Sequence, residues 1–312
     1  MQSYFAEEIA TDHLDGLLSR REAMRRLALL GLSATAASAL IAACSTSGKG
    51  PTSSTTGTAT SSTTATPSST TTVTGAATSL PPGMDRALPT QPVTWPGPNG
   101  DLQGAWSAAQ NVRGGVLVIH ENKGLNDWVR SVAGRFAGAG YSALAIDLLS
   151  EEGGTAKFTD EAQATAALNK VPTERSVADM KSGVDELQRR VPDKKVSVVG
   201  FCFGGGMVWQ LLASGEPQPA AAVPFYGPLP SNPNFSGSKA AVLAIYGALD
   251  NRVTSTKDAA VAALEQAGLV HDVVVEPNAD HAFFNDTGPR YNPTAAADAW
   301  GHVLDWFGRY VG

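Results

Sequence analysis

The sequence predicts an α/β fold, a mostly parallel sheet flanked by helices on both faces. Three observations predict it. From residue 93 onward, β-branched apolar runs of strand length alternate with longer segments whose apolar residues recur at helical spacing. Val196, Val198 and Val199 mark a strand that stops at Gly200, and a helical pattern of Met207, Leu211 and Leu212 starts directly after three glycines. Finally, Glu121, Cys202, Asp250 and His281 each lie just past a strand end, where parallel sheets bind their ligands.

The composition fits. The chain has 312 residues, 43% hydrophobic and 17% charged, room for one large globular domain or two ordinary ones. A net charge of −6 gives no reason to expect a nucleic-acid partner. The two cysteines are Cys44 and Cys202, and no Cys/His cluster has metal-ligand spacing. Neither a metal nor an organic cofactor is expected.

Three segments are expected: an export signal over 1–43, an anchor cysteine with a Ser/Thr-rich linker over 44–82, and a catalytic domain over 83–312. Arg20 and Arg21, ahead of Leu27-Ala28-Leu29-Leu30 and an apolar run to Ala43, read as a twin-arginine signal, although Ala23 stands where such signals often carry Phe. The run, about 17 residues rich in Ala, Ser and Gly, is marginal for spanning a membrane. It ends in Leu40-Ile41-Ala42-Ala43-Cys44, which resembles a bacterial lipoprotein box and would make Cys44 the lipidated first residue of the mature protein. A short uncleaved membrane anchor is the alternative. Either way the domain is expected outside the cytoplasmic membrane, on its outer face. The Ser, Thr, Ala, Gly and Pro of 45–82 cannot bury enough apolar surface to fold, and a flexible coil of that length reaches about 35 Å.

Within the domain, residues 92–96 and 102–108 form a hairpin around Gly97-Pro98-Asn99-Gly100-Asp101. A buried strand at 115–120 leads to a helix at 127–139, then a strand at 143–146 ending at Asp147. Residues 151–172 read as irregular or weakly helical. The helix at 174–190 repeats Val177, Met180, Val184 and Leu187. After the cysteine strand and its helix come strands at 221–225 and 242–246, a helix at 256–267, a strand at 272–275 and a helix at 294–310. The aromatic residues Trp128, Phe203, Trp209, Phe225, Tyr226 and Phe283 read as core, with a pocket wall as the alternative.

The turn Gly200-Phe201-Cys202-Phe203-Gly204 has the form of the G-x-S-x-G nucleophile elbow, with cysteine in place of serine. Glycines flank Cys202 because a Cβ at either place would strike the neighbouring strand or helix. The helix start adds free N–H groups and a positive dipole end, which favour a thiolate and an oxyanion. A cysteine nucleophile needs a base, and the base an orienting acid. Asp250 after one late strand and His281 after the next supply them in the order nucleophile, acid, histidine. Taken singly, Asp250 also fits a helix cap and His281 an ordinary loop residue. Of the other histidines, His13 lies in the export segment, His271 at a strand start on the opposite edge, and His302 on the apolar face of the last helix. His120, at the site rim, is the rival base.

The domain resembles the dienelactone hydrolase family of α/β-hydrolases over residues 93–312. The resemblance is carried by His120-Glu121-Asn122-Lys123-Gly124-Leu125, Gly200-Phe201-Cys202-Phe203-Gly204-Gly205, Tyr246-Gly247-Ala248-Leu249-Asp250 and Asp280-His281-Ala282-Phe283-Phe284. It implies a Cys202-Asp250-His281 triad, a thioester acyl-enzyme and an ester or lactone as small-molecule substrate. It also implies that Glu121 accepts a hydrogen bond from the resting thiol until substrate displaces it, which would protect the sulfur from oxidation. The bland alternative for Glu121 is an ion pair with Lys123 or Arg252. The oxyanion hole falls on the backbone N–H groups of Phe203 and Asn122. One family feature is missing: the arginine four residues after the histidine is Asn285 here, with Arg175, Arg252 and Arg290 as candidate substitutes. Rival readings are an envelope carboxylesterase or acyltransferase acting on a polymer, and a non-catalytic envelope binding protein. A Cys44–Cys202 disulfide is rejected, because lipidation of Cys44 would forbid it.

Overall fold

The computed structural model describes residues 2–46 and 80–312; most of the expected linker, 47–79, lies outside the described residues. The N-terminal segment forms three helices, α1 (Gln2–Leu14), α2 (Arg20–Leu29) and α3 (Ala34–Thr46). The apolar run expected as one stretch is therefore split. Leu30 closes α2, Gly31 takes a φ of 91°, and Ser33 opens α3 by accepting from the Ala36 amide at 3.2 Å. Ala6, Ile9, Ala23, Leu27 and Ala37 give the three helices a small core of their own. No described helix is long and apolar enough to cross a membrane.

The rest is one eight-stranded sheet. In chain order its elements are β1 (Gln91–Pro96), β2 (Asp101–Ser107), β3 (Gly114–Ile119), α4 (Asp127–Gly138), β4 (Tyr141–Asp147), α5 (Glu161–Leu168), α6 (Thr173–Arg190), β5 (Val196–Phe201) and α7 (Phe203–Ala213). Then follow β6 (Ala221–Phe225), β7 (Ala241–Gly247), α8 (Asn251–Thr254), α9 (Lys257–Gln266), β8 (His271–Glu276) and α10 (Pro293–Tyr310). The spatial order is β1-β2-β4-β3-β5-β6-β7-β8. The β1–β2 and β2–β4 pairs are antiparallel and the other five are parallel.

Burial follows from position in that order. The strands β3 to β7 are buried throughout and read as continuous apolar runs, as strands covered on both faces must. The edge strand β1 is mostly exposed, and its Pro92 and Pro96 blunt it against further pairing. Consecutive residues of β3 point to opposite faces: a side chain at Gly114 would meet Val311 beyond α10, one at Gly115 would meet Leu187 of α6. So α10 covers one face with α4, through Phe136 and Trp300 at 4.7 Å, and α6 covers the other beside α7.

The expected elements match within a few residues, and the region expected as irregular contains α5. Asp160 caps that helix through the Ala162 amide at 2.8 Å. His302 departs from expectation. It is exposed and faces Asp298 at 3.7 Å, while its neighbours Val303 and Trp306 are buried.

Candidate active site

The site is built at the carboxyl ends of the central strands. Cys202 follows β5 directly and holds a φ of 56° with ψ −118°, a strained conformation for a residue with a side chain. Two hydrogen bonds hold the strain in place: the Cys202 amide donates to the Phe225 carbonyl at 3.1 Å, and the Cys202 carbonyl accepts from the Gly206 amide at 3.0 Å. The flanking glycines are required sterically. A Cβ on Gly200 would lie 2.2 Å from the Gly204 carbonyl oxygen, and one on Gly204 would lie 2.5 Å from the carbonyl oxygens of both Ile119 and His120. Strand and helix therefore approach closely on both sides of the sulfur. Phe203 is the first residue of α7, so its amide belongs to the unsatisfied first turn.

Asp250 does two jobs. Its Oδ1 accepts from the Val253 amide at 3.2 Å and caps α8, while its Oδ2 accepts from His281 Nδ1 at 2.6 Å. One oxygen caps the helix and the other meets the imidazole. Burial works against charge on Asp250, but the imidazole and the Arg252 guanidinium outweigh it and hold the carboxyl below its usual range. Burial likewise opposes charge on His281, yet the Asp250 carboxylate raises it well above an ordinary histidine. The Cys202 thiol is pushed up by burial and by the Glu8 carboxylate, so it rests protonated.

Glu121, just past β3, is buried and its carboxyl is pushed up to about 7 by burial. It accepts from Tyr226 Oη at 3.3 Å and from Asn285 Nδ2 at 2.7 Å. Its expected bond from the thiol is not present among the described residues. Tyr226 and Asn285 hold the carboxylate, and the one facing the sulfur is Glu8 of α1, 3.7 Å from Cys202 Sγ. Asn285 thus replaces the family's arginine with a neutral donor to Glu121. The bland ion-pair alternatives also fail: Lys123 pairs with Glu161 at 2.8 Å, and Arg252 lies over the Tyr4 ring at 4.3 Å.

His120 is removed as a rival base. Its Nε2 accepts from the Leu148 amide at 3.1 Å and its Nδ1 lies 2.6 Å from the Glu121 carbonyl, so both nitrogens are spent on backbone. Burial holds its pKa down. Of the candidate arginines, Arg175 sits away from the sulfur, paired with Glu151 and Glu152 at 3.2 and 2.8 Å. Arg290 lies on the wall of a cavity of about 240 Å³ that also reaches Cys202, His281 and Glu121. Asn122 lines the same cavity; its side chain donates to Glu8 Oε1 at 3.0 Å. Trp128, Phe203, Trp209, Phe225, Tyr226 and Phe283 are all core, though Tyr226 also packs edge-on against His281 at 5.1 Å.

The N-terminal helix was missed entirely. Tyr4 Oη lies 3.3 Å from Cys202 Sγ and 3.2 Å from His281 Nε2. The available signal was charge: Glu7, Glu8, Asp12 and Asp15 precede the arginine pair, where an export signal is normally basic. Glu8, Cys202 and His281 bring three ligand atoms within 4.8 Å of one another, but each is engaged by protein partners. Cys44 and Cys202 are both free thiols, and Cys44 lines a groove that also reaches Asp250 and His281.

Comparison with known proteins agrees with this geometry. Residues 103–311 match the dienelactone hydrolase family. A candidate carboxymethylenebutenolidase of Escherichia coli O157:H7 is 33% identical over 210 residues, covering 63% of this chain and 77% of that one. The crystal structure of a candidate dienelactone hydrolase from Klebsiella pneumoniae superposes with a TM-score of 0.63 at 28% identity, over 71% of this chain and 98% of that one. A dienelactone hydrolase-like promiscuous phosphotriesterase from metagenomic libraries gives 0.56 at 27% identity, over 72% of this chain and all of that one. A strained cysteine elbow on an α/β-hydrolase sheet, matched from within β2 to the end of the last helix, makes this chain a hydrolase of the dienelactone hydrolase family.

Proposed function

We propose that the chain cleaves a carboxylic ester or lactone through a Cys202-Asp250-His281 triad, as an exported protein held to the outer face of the cytoplasmic membrane by a lipid on Cys44. The observation that carries the catalytic part is the alignment of three groups. Asp250 Oδ2 lies 2.6 Å from His281 Nδ1, and the far side of the same imidazole faces the Cys202 sulfur. Cys202 Sγ attacks the carbonyl carbon as a thiolate paired with the imidazolium of His281, whose charge Asp250 stabilises. The amides of Phe203 and Asn122 receive the oxyanion. Collapse expels the alcohol, which takes the proton from His281 and leaves a thioester. Water activated by His281 then releases the acid and regenerates the thiol.

The test follows p-nitrophenyl acetate and dienelactone hydrolysis side by side in protein lacking residues 1–43, with Cys202→Ala as control. Turnover by the unsubstituted protein alone supports the nucleophile, and the ratio of the two rates separates general ester from dienelactone specificity. Equal rates for both proteins refute the mechanism. The export part rests on Arg20, Arg21 and the Leu40–Cys44 run. Incorporation of radiolabelled palmitate into the unsubstituted chain and not into Cys44→Ala supports it; label in neither refutes the anchor.

A further inference from the structure

The position of α1 needs an explanation that hydrolysis does not supply. A substrate carbonyl must reach the space between Cys202 Sγ and His281 Nε2, and the Tyr4 hydroxyl occupies it, 3.3 Å from one and 3.2 Å from the other. Glu8, one helical turn further on, lies 3.7 Å from the same sulfur and accepts from the Asn122 side chain on the wall of the same cavity. The protonation directions fit one chain of hydrogen bonds. A charged His281 donates from Nε2 to Tyr4 Oη, the Tyr4 hydroxyl donates to sulfur, and the thiol donates to Glu8.

The contact is built along the whole helix rather than at one residue. Tyr4 and Phe5 are buried in the main core, and Phe5 stacks on Phe203 at 5.5 Å. The Arg252 guanidinium covers the Tyr4 ring. About two turns along, Asp12, and just past the helix end Asp15, pair with Arg290 at 2.8 and 2.6 Å. The opposite side of α1, through Ala6 and Ile9, is clamped by α2 and α3, and Arg25 of α2 pairs with Asp160 at the start of α5. Aromatic, acidic and apolar faces of one helix thus each meet a complementary surface. The segment lies outside residues 103–311, which match the family, so relatives of catalytic-domain size need no such helix to fold.

We propose that α1 is an autoinhibitory plug: Tyr4 and Glu8 occupy the space against the Cys202 sulfur and His281 that a substrate has to enter, so the chain stays silent until residues ahead of Cys44 are removed or displaced. This regulation rests on Cys202 being the nucleophile. Cleavage before Cys44, the step that would make it the first residue of the mature protein, removes Tyr4, Glu8, Asp12 and Asp15 together. Tethering makes the inhibition effective, because the plug is always present at high local concentration. The plug keeps the esterase inactive before export and also shields the thiol from oxidation.

The experiment compares the full chain with Tyr4→Ala/Glu8→Ala and, separately, Asp12→Asn/Asp15→Asn, which loosens α1 without touching the buried aromatic contacts. Iodoacetamide labelling of Cys202 is followed by mass spectrometry, alongside p-nitrophenyl acetate turnover. The first variant is expected to label and turn over at least tenfold faster, and the second to lie between it and the wild type. A synthetic peptide of residues 2–16 is expected to inhibit the first variant competitively, raising KM and leaving kcat unchanged. Equal Cys202 labelling in the wild type and both variants overturns the plug. Faster labelling without any turnover upholds the plug and counts against the hydrolase mechanism, so the two readings fail separately.

Discussion

Glu121 offers the sharpest quantitative test of the site. Its carboxyl is 6% exposed and pushed up to about 7, against 4.5 for an ordinary glutamate. Between those values the native state holds the proton more tightly than the unfolded chain. The residue's contribution to stability is therefore fully present below pH 4.5 and is lost as the pH rises through 7. Above that, the buried charge costs about 3 kcal/mol relative to the protonated form. Glu121→Gln removes the charge and keeps the shape. Asn285 cannot turn over to meet it differently, because its Oδ1 already accepts from the Thr287 amide at 3.0 Å and the Thr287 hydroxyl at 2.7 Å. The glutamine oxygen then takes the Asn285 bond and its NH2 donates to the Tyr226 oxygen, the pattern a protonated Glu121 itself makes. The variant is expected to exceed the wild type by under about 1 kcal/mol at pH 5 and by about 3 kcal/mol at pH 8.5, a rise of about 6–12 °C in Tm at the higher pH for a domain of this size. Urea unfolding of both proteins from pH 5 to 8.5 measures it. The difference between them cancels Glu276, pushed up to about 7, and Asp179, pushed up to about 6, which titrate in both. A difference that does not grow with pH would refute the reasoning.

Three further substitutions follow. Asp250→Asn keeps the cap on α8 but presents the wrong hydrogen-bonding group to His281 Nδ1; turnover of p-nitrophenyl acetate is expected to fall about 10³–10⁴-fold with little change in KM, and a loss under tenfold contradicts the orienting role. Gly204→Ala drives a methyl against two carbonyl oxygens of backbone that cannot give; a loss of about 3 kcal/mol in urea unfolding is expected, and a change below about 1 kcal/mol would show that the elbow can relax. Asp286→Ala strips the fully buried Arg135 of a partner 2.6 Å away and the Trp128 indole of its acceptor; about 3–5 kcal/mol should be lost, with Arg135→Met on the same background recovering part of it.

Much of the fold was legible because its signals are local. The buried strands β3 to β7 announce themselves as apolar runs of strand length, whereas α5, capped by Asp160, lies where an irregular or weakly helical segment is expected. The elbow was legible for the same reason, since the glycines around Cys202 are dictated by a turn only five residues long. Asp250 and His281 could be assigned from their places after β7 and β8, and the structure brings them to 2.6 Å. His302 was misplaced because helical periodicity alone cannot tell the border of an apolar face from its centre. Here the imidazole falls on the solvent side.

The sequence by itself determined the α/β architecture, the nucleophile turn and the likeness to a hydrolase family, all from patterns a few residues long repeated in order. Only the tertiary structure decided who stands next to whom across the chain. Glu121 answers to Tyr226 and Asn285 rather than to the thiol, His120 spends both nitrogens on backbone, and α1 fills the site. Tyr4 meets Cys202 across 198 residues and His281 across 277. No periodicity encodes such a contact. It depends on the shape and charge of two surfaces that exist only once each has folded, and their complementarity cannot be read from either segment alone.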